Sequence, residues 1–104
     1  MNVWKAESII DEPEVILTDW DIKQLPNGNR HFVGWNLLLG EGRVSSAIQE
    51  FDNDRMIGRT RSNRIYKLIG ESGHHSDADY VWEAWCRINK VDLNLVVSIS
   101  ENLR

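Results

Sequence analysis

The chain has 104 residues, and its 12 Lys and Arg against 16 Asp and Glu give a formal net charge of −4. That length supports a single domain, residues 1–104, and 41% hydrophobic with 27% charged residues excludes a disordered or collagen-like chain. The single cysteine, Cys86, excludes an internal disulfide and every cysteine-based zinc site. Because neither a signal peptide nor an uncharged run of membrane-spanning length is visible, we expect a cytoplasmic protein with no membrane partner.

Alternating side chains and turn residues predict an antiparallel meander over residues 18–69. From Thr18 onward, apolar residues alternate with charged ones, which is typical of a half-buried strand. The Asn27-Gly28 pair that follows tolerates the positive φ of a tight hairpin. Four further strands are predicted, with a bulge in the second of them, at residues 31–39, 44–51, 56–61 and 64–69.

An amphipathic helix is predicted over residues 77–89. Ser76 is the expected cap, and acidic residues in the first turn favour a helix start there. The apolar side chains recur at helical spacing, so that one face should cover the sheet. Trp82 and Trp85 lie on that face, and we expect them to contact sheet residues that include Trp20 or Trp35.

Residues 91–99 alternate regularly and predict a C-terminal strand at a sheet edge. A second copy of the chain would pair with such an edge and form a homodimer. The competing expectation is a monomer in which residues 3–10 cover the edge. The predicted fold is therefore α+β: an antiparallel β-meander of five to six strands with one amphipathic helix packed on it.

The middle of this acidic chain is basic. If Ser62-Asn63 forms a two-residue turn, the flanking strands place four basic and aromatic side chains on one face: Arg59, Arg61, Arg64 and Tyr66. Nucleic-acid phosphates would neutralise the arginines of this cluster, and a base would stack on the tyrosine. Acids within the protein could neutralise the arginines instead, and their closeness in sequence favours that interpretation: Glu50, Asp52 and Asp54.

A second charged surface is acidic and is predicted near the start of the sheet. Its members would mimic nucleic-acid phosphates and occupy a basic groove of a protein partner: Asp11, Glu12, Glu14, Asp19 and Asp21.

The sequence carries no catalytic signature, and we expect neither an enzyme nor a cofactor. It has no phosphate-binding glycine loop and no nucleophile elbow. The one cluster with metal-ligating side chains is better explained as a loop entering a capped helix, so no metal site is expected: His74, His75, Asp77 and Asp79. Cys86 lies in the last turns of the predicted helix, where the helix dipole does not activate a thiolate, and is expected to be structural.

Three segments resemble small proteins carried on bacterial plasmids and prophages: residues 42–47, 60–66 and 80–85 (GRVSSA, TRSNRIY and YVWEAW). The resemblance covers residues 15–90 and brings no catalytic residue. It implies a setting, because small acidic proteins of mobile elements are often inhibitors of host defence, anti-CRISPR proteins among them. The leading hypothesis is thus a non-enzymatic protein that binds a protein of a host defence complex as an acidic nucleic-acid mimic. The alternative is a nucleic-acid-binding module that uses the basic β-hairpin.

Overall fold

In the computed structural model, residues 14–99 are described, and they form an α+β fold with one helix packed on a mixed sheet. The strands are β1 (Glu14–Gln24), β2 (Arg30–Asn36), β3 (Glu41–Val44), β4 (Ile48–Asp52), β5 (Ile57–Thr60), β6 (Ile65–Leu68) and β7 (Val97–Ser98). The helix α1 spans Ser76–Ile88, and a 3₁₀ turn at Leu93–Leu95 precedes β7.

The strand order is β3-β2-β1-β6-β5-β4, with β7 also paired to β1. The pairing of β1 with β6 is parallel, whereas β1 pairs antiparallel with β2 and β7. The prediction of a purely antiparallel meander was therefore wrong. The physical reason is the length of β1, which begins at Glu14 and not at Thr18, so its first residues can pair with β6.

The sheet curls until its two ends meet. β3 and β4 stand at opposite ends of the strand order, yet only residues 45–47 separate them along the chain. These residues keep bonding to both neighbouring strands: Ser45 N donates to Phe32 O at 2.8 Å, and Arg61 N donates to Ala47 O at 2.8 Å. The predicted strand over residues 44–51 is thus divided by a bend between Val44 of β3 and Ile48 of β4. The bulge expected in it is confirmed, because the pairing of β4 with β5 shifts its register between Ile48 and Glu50.

An inner core fills the concave side of the curled sheet. Its buried members come from β1, β2, β6 and the C-terminal segment: Val15, Leu17, Trp20, Ile22, Phe32, Tyr66, Leu68 and Ile99. The Phe32 ring lies 5.3 Å from the Tyr66 ring and 5.6 Å from the Phe51 ring, measured between centroids. A Cβ at Gly58 would overlap the Phe32 ring, so glycine there makes room for the aromatic cluster.

An outer core lies between the other side of the sheet and α1. Its buried members are Leu25, Val33, Ala78, Trp82 and Cys86. The Trp82 and Trp85 rings stack at 5.3 Å, and both contact His31 of β2, with centroids 6.4 Å and 4.8 Å from the imidazole. The helix tryptophans thus contact the sheet as predicted, but their ring partner in it is not Trp20 or Trp35, as was expected. Their partner there is an imidazole, since Trp20 belongs to the inner core and Trp35 stacks on His75 at 4.2 Å.

Residues 91–99 do not form the regular edge strand that their alternation predicted. Asp92 Oδ1 accepts a hydrogen bond from Asn94 N at 2.9 Å, which begins the 3₁₀ turn, and local bonds of this kind compete with strand pairing. Only Val97–Ser98 pairs with β1. The regular edge strand on which the homodimer was predicted is therefore reduced to two residues, and residues 3–10, its expected cover, lie outside the described residues.

Candidate partner-binding surface

The acidic residues predicted to contact a partner are mostly neutralised where the structure describes them. Glu14 Oε2 lies 3.0 Å from Lys67 Nζ, and Asp21 Oδ2 lies 2.8 Å from Lys23 Nζ. Asp21 is also buried, and its Oδ2 accepts a hydrogen bond from Ser98 Oγ at 2.6 Å. Within residues 14–99, Asp19 is the one predicted acid of this face without a lysine partner, and Asp11 and Glu12 lie outside that range.

The basic hairpin has a register one residue away from the predicted one. Asn63 N donates to Thr60 O at 2.8 Å and Thr60 N donates to Arg64 O at 3.1 Å, so the turn contains three residues and not two. Asn63 adopts φ of 69°, a left-handed conformation that asparagine tolerates, and this adds the third residue. Arg59 consequently pairs with Ile65, while Tyr66 pairs with Gly58.

This shift separates the four residues that were predicted to share one face, because a slip of one residue moves a side chain to the opposite side of the sheet. Tyr66 is 1% exposed in the inner core, and Arg64, two positions earlier and on the same side, is also buried. Arg59 and Arg61 remain on the surface. The predicted platform of arginines around an accessible tyrosine is therefore not formed.

The interpretation that acids within the protein neutralise the arginine cluster is confirmed for Arg59. Arg59 Nη2 lies 3.1 Å from Glu50 Oε1, and Arg59 Nη1 donates to Asn63 Oδ1 at 3.1 Å. Arg55 Nε lies 3.8 Å from Asp52 Oδ2. The strand that precedes the hairpin thus neutralises Arg59, whereas Arg61 is exposed and has no carboxylate partner among the described residues.

The histidine cluster forms the entry to α1. His75 is the N-cap and its Nδ1 accepts a hydrogen bond from Asp77 N at 3.1 Å, a role predicted for Ser76. His74 Nδ1 lies 3.4 Å from Asp79 Oδ2 on the surface. In the part of the chain that the structure describes, no group of three or more His, Cys, Asp or Glu side chains is placed to hold a metal ion.

Cys86 is a structural thiol of the outer core. It is buried and unpaired, and burial raises the pKa of the thiol. A raised pKa leaves the thiol protonated near neutral pH, so it is a weak nucleophile.

A turn of three consecutive leucines is exposed between β2 and β3. Leu37, Leu38 and Leu39 are 50%, 70% and 51% exposed. We call these three residues the leucine turn. The strand predicted over residues 31–39 was too long, because β2 ends at Asn36 and the leucines lie beyond it.

Backbone and side-chain hydrogen bonds fix the shape of the leucine turn. Leu37 N donates to Ile16 O at 2.9 Å, and Gly40 N donates to Asn36 O at 2.8 Å. Leu39 N donates to the buried Asn36 side-chain oxygen at 3.3 Å. Gly40 takes φ of 66°, which lets the chain reverse at no steric cost. The apolar side chains are thus presented by a well-defined turn.

Further apolar and aromatic groups flank the leucine turn. A Cβ at Gly40 would lie 3.9 Å from Cζ2 of Trp35, whose ring stacks on His75. On the other side of β1, the exposed Ile69 donates from its N to Leu17 O at 2.9 Å. Leu37 follows β2 and Ile69 follows β6, and only β1 lies between these two strands. Strands two apart in a sheet lie about 10 Å from each other, so Ile69 is near Leu37.

Comparison with protein-family models, with curated proteins and with solved structures finds no match to this chain. Among the described residues, α1 and every other helical segment are too short or too polar to cross a membrane.

Proposed function

We propose that this protein is a non-enzymatic binding protein and that the leucine turn contacts its protein partner. The observation that carries the proposal is the exposure of Leu37, Leu38 and Leu39 in a turn held by backbone hydrogen bonds. Contiguous exposed apolar groups are costly in water and mark interaction sites in soluble proteins. A preformed turn also loses little conformational entropy when it binds.

A protein partner fits the surface better than a nucleic acid does. Nucleic-acid binding needs accessible cations for phosphates and accessible rings for bases. Here Arg59 and Arg55 are paired with carboxylates, and the Tyr66 ring is buried. An apolar turn, in contrast, gains free energy by contact with apolar groups of another protein.

The resemblance to proteins of mobile elements gives the proposal its setting. In that setting the partner is a subunit of a host defence complex, and the protein inhibits the complex by occupying one of its surfaces. Acidic groups such as Asp19, which is exposed on β1, would help to steer the protein toward a basic partner.

The test is recovery of the partner from host lysate by three tagged proteins, followed by mass spectrometry. Leu38→Lys places a charge at the centre of the leucine turn, and Ile88→Lys places one at another exposed apolar residue, on α1. We expect the unchanged protein and Ile88→Lys to recover the same stoichiometric partner, and Leu38→Lys to lose it. Equal recovery by all three, or no stoichiometric partner in any of several hosts, would contradict the proposal.

A further inference from the structure

A polar cleft lies at the end of the molecule away from the leucine turn. It is about 420 Å³ in volume and is bounded by the β1–β2 turn, the β5–β6 turn and the C-terminal end of α1. His31, near the start of β2, and Leu37, just after its end, are six residues apart, which corresponds to roughly 20 Å of extended chain. The cleft and the leucine turn can therefore be tested independently.

His31 forms part of the cleft wall and has one ring nitrogen without a partner. Its side chain is buried, and Nδ1 lies 2.8 Å from Ser45 O, so Nδ1 donates and Nε2 is an acceptor in the neutral ring. Nε2 is buried and has no hydrogen-bond partner among residues 14–99. Buried polar atoms without a partner are rare in native proteins, and each has a specific cause such as local strain, a bound water or a functional role.

Arg61 supplies a cation to the same cleft. The Arg61 side chain is exposed, and within the described residues it has no carboxylate partner, in contrast to Arg59 and Arg55. Arg61 and His31 line the same cleft. A guanidinium binds phosphate and carboxylate groups through paired hydrogen bonds.

The remaining wall combines an indole with amide groups. Trp85 is half-buried, and its ring stacks on Trp82 while still lining the cleft. Asn89 donates from Nδ2 to Trp85 O at 2.9 Å, and Asn27 Oδ1 accepts from Asn29 N at 2.9 Å. Among residues 14–99, each of these two amides bonds through one end and has its other end available to a ligand. Apolar surface with a few convergent polar groups is typical of small-molecule sites of this volume.

We propose that the polar cleft binds a small organic anion built on a flat ring, with the anionic group on Arg61 and the ring against Trp85. His31 lines the same wall, so its ring resonances report binding in the cleft, while Nε2 itself is buried. Flat rings pack well on indoles, and the asparagine side chains would form hydrogen bonds with polar groups on the edge of the ligand's ring. Nucleoside monophosphates and aryl carboxylates share this chemistry.

The test is titration of the ¹⁵N-labelled protein, with the Trp85 indole N–H and the His31 ring followed by NMR. The probes are AMP, UMP and indole-3-acetate as ring-bearing anions, ribose 5-phosphate as an anion without a flat ring, and adenosine as a ring without the anion. We expect at least one ring-bearing anion to saturate the cleft with a Kd of about 1 mM or tighter. The two control probes should bind at least about tenfold more weakly. AMP or UMP binding identifies a nucleotide as the source, and indole-3-acetate binding alone identifies an aryl carboxylate.

Two exposed arginines provide a matched pair of variants. Arg61→Gln should weaken binding of the saturating anion by about tenfold or more, because a charged hydrogen-bond donor is lost. Arg55→Gln and Leu38→Lys should bind it as the unchanged protein does. Failure of all three ring-bearing anions to shift either resonance, or equal binding by Arg61→Gln, would overturn the proposal and leave the proposed function of the leucine turn unaffected.

Discussion

The two sides of the curled sheet differ in how completely they are buried. On the inner side, residues such as Leu17, Trp20 and Phe32 are at most 1% exposed. On the outer side, several members, among them Trp85 and Val91, are only partly buried. The inner side therefore supplies most of the apolar burial that stabilises the fold, whereas the outer side keeps rings and polar groups within reach of solvent.

This difference follows from what covers each side. The inner side is enclosed by the sheet itself, because the bend between β3 and β4 brings its ends together. The outer side is covered by α1 alone, which has 13 residues and buries three of them, Ala78, Trp82 and Cys86. A short helix leaves parts of a wide sheet open, and the polar cleft lies at one such margin, beside the C-terminal end of α1.

Removal of a large side chain from each core should give the largest difference. Phe32→Ala should lower the free energy of unfolding by about 3–5 kcal/mol, because the ring is fully buried and leaves a cavity. Trp85→Ala should cost about 1–2 kcal/mol, because its ring is already half in contact with water. Urea unfolding followed by circular dichroism measures both values. Equal losses would show that the two cores stabilise the fold to the same extent.

The sheet and α1 approach each other closely at Gly42 of β3. A Cβ there would lie 2.6 Å from Asp77 O and 2.7 Å from Ala78 N, so α1 has to move away. We expect Gly42→Ala to destabilise the protein by about 1–3 kcal/mol and to change the Trp82 and Trp85 fluorescence.

Gly73→Ala is the matched control for that variant. A Cβ at Gly73 would have its nearest neighbour at 3.9 Å, an ordinary contact. Its stability should stay within about 0.5 kcal/mol of the unchanged protein. If Gly42→Ala were as stable as this control, the close approach of β3 to α1 would be wrong.

Local signals in the sequence predicted the elements well. The Asn27-Gly28 turn lies between β1 and β2, and the helix predicted over residues 77–89 is observed at Ser76–Ile88. Turn chemistry and helical spacing act over a few residues, so a sequence displays them directly. The α+β class with one packed helix was predictable for the same reason.

Register and long-range pairing were not predictable in this way. The hairpin face changed sides because Asn63 takes a left-handed φ, which adds one residue to the turn. The parallel pairing of β1 with β6 joins residues about 50 positions apart, such as Val15 and Tyr66, and no local pattern encodes it. The leucine turn was missed because its residues continue the apolar phase of β2, and the acidic face was not predicted to lose charge to Lys23 and Lys67.

The outer core should also respond to pH through His31. Burial, and then the charge of Arg61, lower the pKa of His31 below its ordinary value, so the unfolded chain takes up the proton first as the pH falls. Stability that is present above pH about 6.5 is therefore lost as the pH falls through that value toward the lower folded pKa, by at most about 1.4 kcal/mol per pH unit. Urea unfolding at several pH values between 7.5 and 5 measures this loss.

Two histidine variants isolate that effect. His31→Gln should show a smaller loss of stability over the same pH range, and the exposed His74→Gln should keep the loss of the unchanged protein. The inner core contains no histidine among its described members, so it should not contribute to the difference. An identical pH profile for all three proteins would remove His31 as the cause.

The smallest effect is expected at the surface ion pair of the basic hairpin. Arg59 and Glu50 are both substantially exposed, so water and salt screen their attraction. A double-mutant cycle with Arg59→Ala and Glu50→Ala should give a coupling of about 0.2–1 kcal/mol, and it should shrink as salt is raised. The same cycle with Arg61→Ala in place of Arg59→Ala should give no coupling, because Glu50 is bonded to Arg59.

The Glu50→Ala variant of that cycle also tests whether the ion pair masks a nucleic-acid surface. It leaves Arg59 without its carboxylate, while Tyr66 stays in the inner core. Gel shifts with single-stranded DNA at two salt concentrations should therefore show no gain of binding for Glu50→Ala. A gain that weakens steeply with salt would mean that the arginines, and not the leucine turn, are the binding surface held in check by internal acids.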